Sequence, residues 1–169
     1  MSVHALVDDV VRTHTAKVVA IPSDETFSGE EYIPAPELRE IADMLRERHN
    51  MPTEITIECV WKRKGGKHQG KTRLAFCMKT SGLAKFYSAY DFVIWVAADT
   101  TRDMELSPEQ IEALLFHELH HAGVDEESLD PIVVGHDFEG FRADLENYGL
   151  WSPDLTNAAP SFEQVRMGL

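Results

Sequence analysis

Phe116-His117-Glu118-Leu119-His120-His121 is the stretch on which the reading of this chain turns. It carries the pattern H-E-x-x-H, with His117 and His121 as the histidines and Glu118 beside the first. On a helix, residues four apart stand one turn above each other on the same face. Two imidazoles so placed can bind one zinc ion, and the adjacent glutamate can reach a water at that ion. The spacing therefore points to zinc-dependent hydrolysis, of peptide bonds before other bonds.

The flanks of the motif predict the helix it needs. Ser107 is a candidate N-cap, Pro108 suits the first helical position, and Gln110 completes an S-x-x-Q capping box. Glu105 and Glu109 place negative charge at the positive end of the helix dipole. Ile111, Leu114, Leu115, Leu119 and Ala122 recur at helical spacing, and Gly123 is a natural stop. Without such a context, two surface histidines on an ordinary helix would be the plainer reading.

A catalytic zinc takes three protein ligands and keeps one position for water. The third ligand expected here is His136, in Gly135-His136-Asp137-Phe138-Glu139. The acidic, proline-bearing stretch from Asp125 to Pro131 reads as a loop long enough to return the chain to the motif. After Gly135 a helix is predicted to run to about Tyr148, with Phe138, Phe141, Leu145 and Tyr148 on one face. Glu139 is the alternative ligand, and Asp137 or Glu139 could instead orient a ligand histidine. Glu118 is the expected general base. Tyr87, Tyr90, Arg142 and Tyr148 are the candidates for stabilising an oxyanion, each more readily explained by packing. His120 is expected to be hydrogen-bonded or solvent-facing, and His4, His14, His49 and His68 show no ligand spacing.

The rest of the chain reads as one α+β domain, residues 1–169, with a core over about 36–151 and a weakly patterned tail at 152–169. Val3, Leu6, Val7, Val10 and Val11 predict a short opening helix. Val18 to Ile21 is a possible strand, followed by a polar loop. Pro36 opens a helix with Leu38, Ile41, Ala42 and Leu45 on its buried stripe. Ile55, Ile57, Cys59 and Trp61 alternate as a strand, and Leu74, Phe76 and Met78 as a second. Phe92 to Ala98 is an apolar run expected to be a strand buried on both faces.

Composition excludes some partners. The net charge is −13, which disfavours bulk attraction to nucleic acid or anionic membranes. No apolar run approaches a membrane span, and Met1 to Lys17 lacks the pattern of a secretion signal. Cys59 and Cys77 stand far apart and read as reduced core residues, so a cytoplasmic location is expected, in a bacterial or phage-infected cell. Lys62, Arg63, Lys64, Lys67, Lys71 and Arg73 crowd into twelve residues that contain no acid. A solvated hairpin explains this cluster more simply than a phosphate-contacting finger, so nucleic acid is a possible partner that is not favoured.

Three segments together, Tyr90-Asp91-Phe92-Val93-Ile94, the motif itself, and Gly135-His136-Asp137-Phe138-Glu139-Gly140-Phe141, resemble the putative phage metallopeptidase family. That family in turn looks like a relative of the SprT-like (Spartan-type) zinc proteases. The resemblance implies a zincin-like minimal protease domain, with a small, about three-stranded, mainly antiparallel sheet packed on the H-E-x-x-H helix and flanking helices. It implies His117, His121 and His136 as zinc ligands, Glu118 as general base, and a protein or peptide substrate. Asp137 departs from the glycine usual after the third histidine in SprT-like proteins, and no separate DNA-binding module is visible. The second reading is a non-enzymatic, zinc-stabilised binding or inhibitor module, phage-encoded and directed at a host protein or nucleic-acid complex. A fourth protein ligand, such as His120 or Glu139, would favour it.

Overall fold

The computed structural model describes residues 15–137, 147–150 and 153–166. The predicted opening helix lies outside these residues, as do most of the helix expected after Gly135, the alternative ligand Glu139, and Arg142. The chain divides into two compact units, Met1–Val133 and Val134–Leu169. Among the described residues no helix is long and apolar enough to cross a membrane.

The larger unit is α+β and is built on a mixed sheet of four strands. These are β1 (Tyr32–Pro34), β2 (Ile57–Lys62), β5 (Ala75–Lys79) and β6 (Phe92–Ala97), in the order β1-β2-β6-β5. The sheet has four strands rather than about three. The extra one, β1, spans three residues and ends in Pro34, too short for an alternating signal and confined by its proline to an edge. The outer pairings, β1 with β2 and β5 with β6, are antiparallel. The central one, β2 with β6, is parallel, with Cys59 opposite Ile94 and Trp61 opposite Val96.

Period-two patterning decides which residues enter the core. Ile57, Cys59 and Trp61 of β2 and Phe92, Ile94 and Val96 of β6 are buried on one face. Trp61 satisfies its indole N–H by donating to Glu37 Oε1 at 2.5 Å. On β5, Ala75 and Cys77 enter the core, as expected for Cys77, while Phe76 and Met78 face away.

Those helices are α1 (Pro36–Arg48), which packs on β2, and α4 (Pro108–His120), which packs on α1 and β5. Leu38, Ile41, Ala42 and Leu45 of α1 are buried as the periodicity predicts. Arg48 of α1 donates to Glu112 of α4 at 2.8 Å. Two short helices, α2 (Gly82–Ser88) and α3 (Ala98–Asp103), flank β6. Val18 to Ile21 forms no strand. The basic segment folds as a hairpin of β3 (Lys67–His68) and β4 (Lys71–Thr72), turned by Gln69 and Gly70, both at positive φ. At its base Gly65 approaches the Arg73 carbonyl so closely that a Cβ would fall 2.2 Å from that oxygen.

In the smaller unit, the weakly patterned tail forms α5 (Pro153–Arg166), with Pro160 inside it and Leu155 buried.

Candidate metal centre

Helix α4 begins as its sequence demands. Ser107 Oγ accepts from the Gln110 backbone N–H at 3.3 Å, and Gln110 Oε1 accepts from the Ser107 N–H at 2.9 Å. Ile111, Leu115, Glu118 and Leu119 form the buried stripe. The far end carries the chemistry. His117 lies in the last turn, and His121 caps the helix with φ −74° and ψ −18°. One turn apart, their ring centroids are 5.2 Å from each other. Both stand at the negative end of the helix dipole, where a cation is favoured.

Immediately after His121 the chain reverses. Strand β7 (Ala122–Val124) pairs antiparallel with β8 (Pro131–Val133), and Ala122 lies opposite Val133. Asp125 holds the connecting loop. Its carboxylate accepts from the Glu127 and Ser128 backbone N–H groups at 3.0 and 2.8 Å, and these bonds hold its carboxyl below the usual carboxylate value. His136 is three residues past Val133, so at about 3.3 Å per residue it starts within roughly 10 Å of the chain beside His121. His117, His121 and His136 form a group that could hold a metal ion, with one possible ligand atom from each lying within 4.8 Å of the others.

Among the described residues the donor set is three imidazoles with no thiolate or carboxylate, which suits a borderline-soft divalent cation. His117 and His136 are exposed and His121 is partly so, which leaves the imidazoles accessible to solvent. The two cysteines are elsewhere. Cys59 and Cys77 are free and buried under the helices, and burial pushes each thiol up to about 12. Neither belongs to the histidine group.

The chain belongs to the family described as Putative phage metallopeptidase. That family's sequence profile matches residues 30–160, a span that takes in the sheet, helix α4 and all three histidines. No curated protein and no solved structure matches the chain. Membership in the phage metallopeptidase family and the three-histidine group point the same way, to a metal-dependent peptidase.

The remaining candidates of the metallopeptidase site sort by their surroundings. Glu118 is 6% exposed, and its charge contributes to raising the Cys77 thiol on β5. His120 Nδ1 lies 2.7 Å from the Phe116 carbonyl oxygen, and the His120 ring stacks edge-on to Phe116 at 4.4 Å. His49 packs against the same phenyl ring at 4.5 Å, which the absence of ligand spacing could not reveal. Tyr90 lies under the Arg39 guanidinium at 5.6 Å, and Tyr87 is exposed on α2. Tyr148, in the smaller unit, is exposed. The loop-holding role of Asp125 went unread, although Asp125-Glu126-Glu127-Ser128 has the composition of an Asx turn.

Proposed function

We propose that this protein is a zinc metallopeptidase in which His117, His121 and His136 hold the ion and Glu118 is the general base. The grouping of three imidazoles in a chain of this family is the observation that carries the reading. Zinc is inferred from the donors, since tri-imidazole sites are a recurrent way to hold catalytic zinc. When bound, such an ion polarises a carbonyl oxygen and lowers the pKa of water to about 7.

The protein's own groups do the rest. Glu118, next to His117 on the helix, accepts the proton of the attacking water on a carboxylate oxygen. It then delivers that proton to the departing amine nitrogen, which leaves Glu118 ionised for the next cycle. His120 is not in the histidine group, which among the described residues supports three protein donors and a position left for water. Strand β5 is an edge of the sheet and packs on α4, so an extended peptide could add to it as a further strand beside the helix that carries Glu118. A zincin-like arrangement related to the SprT-like proteases fits this order of strand, helix and later histidine. Free, buried cysteines fit a reducing compartment such as the cytoplasm.

The test combines metal analysis with hydrolysis of denatured casein. The expected result is about one zinc per chain, with activity removed by chelation and restored by zinc. His136→Ala should lower zinc content while the fold is retained by circular dichroism. Full zinc content in that variant would remove His136 from the ligand set. Zinc bound with no hydrolysis of any peptide library would favour the binding-module reading.

A further inference from the structure

The sheet face turned away from α1 and α4 carries a second pattern. Directly paired residues share a face, so Tyr32 with Lys62, Val60 with Trp95, and Trp95 with Phe76 all project to this side. Across the four strands, rings and cations alternate. Lys62 Nζ is 5.6 Å from the Tyr32 ring centre and 4.7 Å from that of Trp95. The Arg73 guanidinium is 6.0 Å from Trp95 and 4.8 Å from Phe76. Trp95 is only 5% exposed, but Tyr32 at 45% and Phe76 at 41% present ring surface to solvent at the two edges.

The basic hairpin rises beside this face. Lys64, Lys67 and Lys71 are exposed, and among the described residues they and Arg73 form no ion pair. Two of the six cations are engaged: Lys62 with Glu31 at 3.4 Å and Arg63 with Asp24 at 2.8 Å. The cluster sits in a chain of net charge −13, so its concentration on one hairpin is not a property of the whole surface. The close approach of Gly65 to Arg73 fixes the base of the hairpin against the sheet.

We propose that this face binds single-stranded nucleic acid, with Lys64, Lys67, Lys71 and Arg73 contacting phosphates and Phe76 and Tyr32 stacking on bases. Cations alone would suit any polyanion. Exposed rings set among them suit a strand whose bases are unpaired, since every base offers a flat face to stack. A duplex hides those faces, and an acidic protein lacks them. The proposal is independent of the metal site, and its failure would leave the peptidase reading untouched.

The experiment is fluorescence anisotropy of the full chain with labelled oligothymidylate and oligouridylate of about 20 nucleotides, titrated with salt. Competitors are a duplex of equal length and polyglutamate. Binding should weaken steeply with salt, and Trp95 emission should change on binding. Removing two phosphate contacts in Lys67→Ala/Lys71→Ala should reduce the salt slope by about 1.4. Phe76→Ala should weaken binding about tenfold and leave the slope unchanged. The DNA and RNA arms report whether the 2′-hydroxyl matters; binding to either supports the proposal. Absence of binding to both at low salt overturns it. So does equal competition by duplex, which removes stacking, or by polyglutamate, which indicates an acidic protein partner. Wild-type affinity in Phe76→Ala removes the ring contact and with it the preference for single strands.

Discussion

Along β2, residues that face the helices and residues that face away alternate one by one, yet the two sets meet different fates. Ile57, Cys59 and Trp61 are buried, whereas Glu58, Val60 and Lys62 remain partly open to solvent. Helix α4 repeats the division: Ile111, Leu115 and Leu119 anchor it, while His117 and His121 stand at its rim. The lesson is a separation of tasks. The inner face supplies the burial that holds the fold, and that rigidity lets the rim and the outer face carry imidazoles, cations and exposed rings. On α4 the exception is Glu118, a carboxylic side chain on the buried stripe. A carboxylate in that position is costly unless its surroundings stabilise it, which fits a group kept for chemistry rather than for packing.

The comparison can be broken most sharply at that exception. Glu118→Gln preserves size and should abolish casein hydrolysis, by at least about a hundredfold, while zinc content stays unchanged. Retained hydrolysis would show that the buried position serves packing after all.

A second test sets the two faces against each other. Trp61→Ala, on the inner face, should lose about 3–5 kcal/mol of stability in urea unfolding. Phe76→Ala, on the outer face, should lose under about 1 kcal/mol. Similar losses for both would mean that the outer face is as important to the fold as the inner one.

The buried thiols sharpen the same contrast. Protonated, enclosed cysteines should resist iodoacetamide in the folded protein and react once it is unfolded. Their folded values are raised from 9.0 to about 12, so below pH 9 both states hold the protons and the thiols add no pH dependence. Between pH 9 and about 12 the unfolded chain releases protons that the folded chain keeps, so stability should fall as pH rises through that window. A denaturation midpoint that stays flat above pH 9 would place the thiols nearer to solvent.

A further small effect belongs to the start of α4. Ser107→Ala removes one half of the capping box and should lower stability by about 1 kcal/mol, read from the urea midpoint. A larger fall in activity than in stability would mean that the cap also positions the histidines at the other end of the helix.

Much of the local structure was legible because its causes are local. The capping box at Ser107, the stripe of α1 and the alternation of β2 each depend on residues a few positions apart. Four-residue spacing alone put His117 and His121 on one face of a helix. The grouping of His136 with them was an expectation that no periodicity could establish, since a loop and a hairpin intervene. Strand β1 escaped notice because three residues make no pattern.

By itself the sequence determined helices α1 and α4, the long strands, the paired motif histidines and a basic cluster of unknown place. Only the tertiary structure decided the strand order β1-β2-β6-β5, the parallel pairing at its centre, and the alignment of Tyr32, Lys62, Trp95, Arg73 and Phe76 across one face. The reason is physical. Helical and strand periods are set by neighbouring residues, but pairing partners are chosen by the burial and hydrogen bonding of segments far apart in the chain, and those energies exist only once the whole unit has assembled.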